Sequence, residues 1–521
     1  MGQFALIAVA IPVFGAGTIA LASCFRFDFL AGRSVPAGSR TFRRIALTAS
    51  VLTFVVTVCS TVVDLLLGPS GSEGLGGIFA LLTAAVWLPV VFVGRQCDLK
   101  RPGLLYGFLL LLEAASLGVF VADDALFFCL SLESSTLLLY LLIAGWGGRE
   151  SEPIARKFLF YNLAADMLVL IALLGVVIAA GRMSAASGAG SSRELSYSLS
   201  ALTQGVPRLA SDDINGQEYW RHARRWLLTA LVLGLAIKTP LVPFHTWFAP
   251  AVAEGPLCAG LALLGSGLRV STYAFVRLVG PLCGDLGAWG DLLVAAVVLG
   301  AVHESLLALA HGDLKRMAAH ASLSQVSVAV AGFFSQHAGG AIGAVLLAIS
   351  GGLGSTLLLF SFGALEMRFD AGGLSVLGGI WRRLPQVSCA LVLAVLSLVG
   401  IPGLSGFAGL FPILGALFAF EWLSALLAMI AGLIVAWTLF WMLERVVFGP
   451  SPFGAGVLPM PGAEWDAASI ESAGRDRPGD LRHAEVWIIA PLIAGMILIG
   501  LRPQALVDLI QALLRIGSLS P

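Results

Sequence analysis

Apolar runs of roughly 18 to 25 residues recur from one end of this chain to the other, and each is long enough to cross a hydrocarbon core of about 30 Å as a helix. Helices therefore dominate the fold, and lipid is its solvent. The balance of residues agrees: 58% are apolar and 12% charged, against about a quarter charged in a soluble globular chain. Lys plus Arg and Asp plus Glu number 31 each, so no basic excess exists to recruit nucleic acid or an anionic surface. The seven cysteines lie singly with no C-x-x-C spacing, which argues against iron–sulfur, zinc or disulfide frameworks. The first apolar run, Phe4 to Ser23, lacks a positive leading region and is followed by arginines, so it reads as a first span and not as a cleaved signal.

Hydropathy places fourteen spans, near 4–23, 45–67, 76–94, 103–122, 125–146, 158–181, 226–248, 256–279, 288–310, 315–334, 338–363, 387–418, 421–447 and 484–501. Basic residues alternate with them. Arg26 to Arg44 follow the first span, Arg95 to Arg101 the third, Arg149 and Arg156 the fifth, and Lys315 and Arg316 the ninth. Arg368, Arg382 and Arg383 follow the eleventh, and Arg445 to Arg482 the thirteenth. These loops should be cytoplasmic, with both termini on the opposite side, as in a bacterial inner membrane. The polar stretch 182–225 falls outside as a long loop. The segment 451–483 reads as a cytoplasmic loop holding a surface helix, and 503–517 as an amphipathic interfacial or partner-contacting helix.

A charge at the bilayer centre costs about 3 kcal/mol, so each needs a partner, a water-filled cavity or a function. Away from span ends the chain carries Asp64, Glu113, Glu133, Asp166, Lys238, Arg269, His303 and Glu304, with His320 and Gln325 on the tenth span. Glu133 and Lys238 have opposite sign and sit on different helices, so pairing would lower the cost of both and couple their protonation. Such a pair carries protons or merely locks two helices together. His303 is compatible with a satisfied core histidine, although Glu304 beside it would be unusual in lipid. Lys157, Lys315 and Arg316 should snorkel to the cytoplasmic interface.

Two spans are interrupted. KTPLVPFHTW puts Pro240 and Pro243 directly after Lys238 inside an apolar run, and proline removes a backbone donor and clashes with the preceding turn. VLSLVGIPGLSGFAGLFPIL repeats the device with Gly400, Pro402, Gly403 and Pro412. Breaks in corresponding halves point to an inverted-repeat transporter. The expected architecture is all-α: a three-helix segment over 1–102, a first five-helix repeat over 103–279, and a second over 280–447. A segment over 448–521 adds a loop, the last span and the terminal helix. Spans 7 and 12 are the broken ones.

These residues resemble a known family, the antiporter-like membrane subunits shared by respiratory complex I, membrane-bound hydrogenases and Mrp-type cation/proton antiporters, and within it the M (subunit 4) branch of complex I. LFFCLSLESSTLLLYLLIAGWGG is similar to the fifth-span signature, with Glu133 at the family's essential glutamate. IKTPLVPFHTWFAPAVAEGP matches the broken seventh span, with Lys238 at the central lysine, and is the most specific stretch. HGDLKRMAAHASLSQVS resembles the start of the tenth span, and LGGIWRRLP with GIPGLSGFAG the entry to and break in the twelfth. The resemblance covers roughly residues 100 to 450.

It implies a proton-translocating subunit of a complex I-like, NADH or other donor:quinone oxidoreductase, in which Glu133 and Lys238 form an ion pair whose opening and closing shifts a proton. It also implies no cofactor in this chain, with flavin, iron–sulfur clusters and quinone on partner subunits of a multisubunit membrane complex. An Mrp-type antiporter, a membrane hydrogenase or an inorganic-carbon uptake complex is the alternative host. The sequence also departs from the family. The usual eighth-span lysine is Arg269, which in practice never loses its proton. The tenth-span histidine is Gln325, the eleventh-span one falls at Gly351, and the twelfth-span exit residue is Leu410. Either His303, Glu304 and His320 replace the lost relay, or the second half-channel is degenerate and the subunit structural.

Overall fold

The computed structural model describes residues 2–29, 38–67, 73–97, 101–186, 196–212, 214–284, 288–369, 378–449 and 479–516. Among them the chain is helical with no strand, apart from an isolated bridge between Asp124 and Ser198. Eleven helices are long and apolar enough to cross a membrane. The remaining three expected spans are also present. The first is Gly2–Phe29, the seventh is Ile214–Lys238 resumed by Phe248–Glu254, and the twelfth is the pair of half-helices Pro385–Val399 and Ser405–Phe420.

The polar stretch 182–225 differs from the loop expected of it. The sixth span, Ser151–Ala186, ends just inside it, a separate helix covers Leu199–Asp212, and the seventh-span helix already begins at Ile214. Leu199, Leu202 and Val206 are all buried, so a polar segment with apolar residues at helical spacing docks one face and leaves the other wet. Residues 451–478, where a surface helix was expected, and the side chain of Asp64 lie outside the described residues. The terminal amphipathic helix is present as Pro503–Ile516.

Burial grades from the centre outward. The apolar windows of the eighth (Leu257–Leu282) and tenth (Leu314–Phe334) spans are each 94% buried, and that of the eleventh (Ala338–Phe369) is 100% buried. Ionisable residues facing these spans therefore sit in protein and not in lipid. Trp226, Trp289, Trp422 and Trp487 are exposed close to the starts of the apolar runs of spans 7, 9, 13 and 14, as in an interfacial aromatic belt. Basic residues from separate loops gather at one end of the bundle. Arg95 and Arg368 both hold Glu485 at the start of the last span (2.6 and 2.9 Å), Lys315 holds Glu366 (2.7 Å), and Arg316 holds Glu254 (3.2 Å). Lys315 and Arg316, expected at the interface, are ion-paired there.

Both expected breaks are present, and each recovers part of its freed backbone. The seventh span stops at Lys238, the Val242–Pro243 peptide is cis, and a short turn over Phe244–Trp247 restarts the helix. The Trp247 indole donates to the Ile237 carbonyl (3.2 Å), and Lys157 of the sixth span donates to the Thr246 carbonyl (3.0 Å). In the twelfth span Gly400 and Gly403 adopt φ of +82° and +95°, a conformation glycine enters at little cost. The Gln325 amide donates to the carbonyl of Leu398, just before that break.

Candidate functional site

The sixth and seventh spans pack closely along their length, and this brings Lys238, the last residue before the break, against Asp166. Their Nζ and Oδ1 lie 2.6 Å apart, with the Asp166 side chain only 1% exposed. Thr136 of the fifth span (Ala125–Trp146) completes the group: its hydroxyl donates to the other Asp166 oxygen (2.6 Å) and accepts from Lys238 (3.0 Å). A cavity of about 40 Å³ opens beside them, lined in part by Ser116, Ser135, Thr136, Asn162, Lys238 and Ser266. That is space enough to admit water.

The ion pair expected between Glu133 and Lys238 is not formed. Glu133 is half-buried, and no basic side chain among the described residues stands within ion-pair distance of it. The reason lies in packing. Lys238 emerges where the seventh span lies on the sixth, and Asp166 there reaches its ammonium. Glu133 remains one helical turn before Thr136 on the same span, which connects it to the group through the helix they share.

A second group lies across the ninth (Ala288–Ala310) and tenth spans. The Glu304 carboxylate is fully buried, and its Oε2 meets His320 Nδ1 at 2.7 Å. His311, in the turn between the two spans and half-buried, stacks on His320 with ring centres 4.9 Å apart. The chain Glu304–His320–His311 thus leads from the interior to the end of the bundle carrying Lys315 and Arg316. On its other side Glu304 faces His303 and His245, with Oε1 3.7 and 3.8 Å from their Nδ1 atoms. His245 belongs to the broken segment of the seventh span, seven residues after Lys238. One interruption therefore supplies a side chain to each group.

Arg269 lies within the eighth span, enclosed by protein. It is fully buried between two π-helical turns, Leu263–Gly267 and Phe275–Val279, irregularities that cluster at functional positions. Among the described residues its guanidinium makes only long contacts, to the Leu264 carbonyl (3.4 Å) and the Ser355 hydroxyl (3.5 Å), and Ser355 in turn meets Ser322 of the tenth span (2.7 Å). A Cβ at Gly351 would stand 3.0 Å from an Arg269 nitrogen. The lack of a side chain at Gly351 is what leaves room for the guanidinium. Near the twelfth-span break a second cavity, about 30 Å³, is lined by Ser324, Gln325, Leu347, Leu398 and Leu410 among others, with no titratable side chain. Pro240 and Pro243 flank the first group and Pro402 the second cavity.

Sequence reasoning singled out Lys238, Glu304 and His320 and registered Asp166 only as one buried acid among several. It passed over Thr136, His245 and His311. His245 was visible inside the most specific motif, whereas nothing in the fifth-span sequence marks Thr136.

The comparisons with known proteins agree with this architecture. A family model described as NADH:quinone oxidoreductase/Mrp antiporter, TM matches residues 122–435. NADH-quinone oxidoreductase subunit M of Rhodobacter capsulatus is 26% identical over 504 residues, covering 92% of this chain and 90% of that protein. A chain of respiratory complex I from Thermus thermophilus with bound NADH superposes with a TM-score of 0.76 at 23% identity, over 99% of this chain and 100% of that one. A chain of the Mrp complex from Dietzia sp. DQ12-45-1b does so at 0.75 and 19% identity, over 98% and 96%. A helical membrane bundle with two interrupted spans and ionisable residues in its interior defines the class of antiporter-like membrane subunits. The chain belongs to the NADH:quinone oxidoreductase/Mrp antiporter transmembrane family.

Proposed function

We propose that this chain is the proton-translocating membrane subunit of a complex I-like assembly, driven by partner subunits that carry the flavin, iron–sulfur clusters and quinone chemistry. The observation that carries this reading is the buried Asp166–Lys238–Thr136 group at a broken helix, beside a cavity into which several hydroxyl and amide side chains point. A salt bridge so enclosed costs desolvation and is weak support for stability alone. Next to water and at the end of a helix, it instead allows a proton to be held and handed on.

In this reading the protonated Lys238 is retained while Asp166 faces it. Movement of the seventh-span break that carries Lys238 away from Asp166 withdraws that stabilisation and releases the proton to cavity water. The second half-channel cavity, lined by Gln325 and Leu410, offers no group to receive it. The proton passes instead through Glu304, His320 and His311, the first of which meets the broken segment at His245. Arg269 keeps its proton and acts as a fixed positive charge. The basic end of the bundle is cytoplasmic, and the membrane is a bacterial cell membrane.

The test is proton uptake by the purified complex in vesicles. Lys238→Ala and Glu304→Gln should each lower translocation at least tenfold without loss of the assembled complex. Undiminished uptake in Glu304→Gln would remove the proposed exit. The fold likeness to a chain of an Mrp complex favours a second reading in which the host is a cation/proton antiporter. Co-purifying flavin and iron–sulfur subunits support the first host, and their replacement by further membrane subunits alone supports the second.

A further inference from the structure

Two buried polar atoms in the second group have no hydrogen-bond partner among the described residues: Nδ1 of His245 and Oε1 of Glu304. They face each other at 3.8 Å, and Nδ1 of His303 lies 3.7 Å from the same oxygen. These separations are too long for hydrogen bonds. They are close to the spacing of two ligands on one ion: bonds of about 2.0–2.1 Å at tetrahedral angles put donor atoms about 3.4 Å apart. One ligand atom from each of the three residues lies within 4.8 Å of the others.

We propose that His245, His303 and Glu304 form a binding site for a divalent transition-metal ion, with zinc the best match to two imidazoles and one carboxylate.

The chemistry of the set excludes the hard cations. Calcium and magnesium prefer oxygen ligands and larger coordination numbers, whereas imidazole nitrogen with a single carboxylate suits zinc and its neighbours. Three protein ligands leave a fourth position for water. The second oxygen of Glu304 is held by His320 at 2.7 Å, which is the outer support a ligating carboxylate ordinarily has. That contact orients Oε1 toward the two imidazoles. The His303 side chain is 47% exposed on the ninth-span face, so the site lies at the edge of the bundle. Closing the shell draws together ligand atoms that stand up to 4.8 Å apart, chiefly by movement of the half-exposed His303 ring.

An ion held there occupies the carboxylate that the proposed relay uses, so metal and proton exclude each other. That consequence rests on the relay reading, whereas the binding itself does not. The test uses the full chain in lipid nanodiscs, stripped with a chelator and titrated with Zn²⁺ in competition with a chromophoric chelator. One zinc per chain is expected, with X-ray absorption reporting two imidazoles and oxygen at about 2.0 Å. His303→Ala, which changes a half-exposed side chain and leaves the core intact, should weaken binding at least tenfold. Affinity unchanged in that variant, or a spectrum without imidazole, overturns the site. In the intact complex in vesicles, zinc should halt translocation and a chelator restore it. Tight binding with undiminished translocation would leave the site standing and overturn the relay.

Discussion

Lys238 lies against Asp166 and not Glu133, and this single placement changes which carboxylate is expected to control the lysine. Asp166→Asn removes the partner at 2.6 Å while Thr136 remains as an acceptor. The expected outcome is at least tenfold slower proton translocation with the complex still assembled, read in vesicles. Glu133→Gln should act more weakly, since Glu133 has no ion pair among the described residues. Arg269 and Gly351 make the second residue-scale case. Gly351→Ala forces a methyl group to 3.0 Å from the guanidinium, and overpacking of a filled interior costs typically about 1–3 kcal/mol. Denaturation of the purified chain in mixed micelles measures it, and the paired variant Gly351→Ala with Arg269→Lys should recover part of the loss. Both residues were recognisable as departures from the family pattern. Their mutual fit was not, because 82 positions separate them in the chain and only helix packing brings them together.

At the scale of elements, the two interrupted spans differ in how they are secured. The seventh is tied by an indole and an ammonium, through Trp247 and Lys157. The twelfth is tied by the Gln325 amide on Leu398 and by serine hydroxyls, with Ser405 meeting Ser350 at 2.8 Å and Ser397 at 3.1 Å. Gln325 is therefore better described as a prop for the break than as a proton carrier. Gln325→Leu leaves a buried carbonyl without its donor, at a cost of about 1–3 kcal/mol. Hydrogen exchange should rise over 398–404 and remain unchanged at the seventh-span break. The breaks themselves were legible in the sequence, since proline and glycine act on the backbone locally. What satisfies them was not, because the donors come from other helices. The helix Leu199–Asp212 shows the converse: polar composition suggested a loop, but buried apolar residues at positions 199, 202 and 206 decided for a docked helix.

For the molecule as a whole, the end that gathers the basic residues is braced by Glu485, 1% exposed and shared by Arg95 and Arg368. It joins the third, eleventh and last spans. Glu485→Gln leaves two largely buried arginines without their carboxylate, which should cost about 3 kcal/mol and detach the last span first, measured by limited proteolysis within 479–482 and by thermal denaturation. The sequence alone determined that this chain crosses a membrane about fourteen times, roughly where its spans lie, which two are broken, and which side chains are ionisable at depth. Those properties follow from hydropathy and local backbone chemistry, which neighbouring residues decide. Only the tertiary structure decided who faces whom: Asp166 with Lys238, Glu304 with His320 and His245, Arg269 with the space left by Gly351. In a bundle every helix offers several faces of similar polarity, so partners are chosen by the angle and depth at which helices pack, and no local pattern encodes that choice.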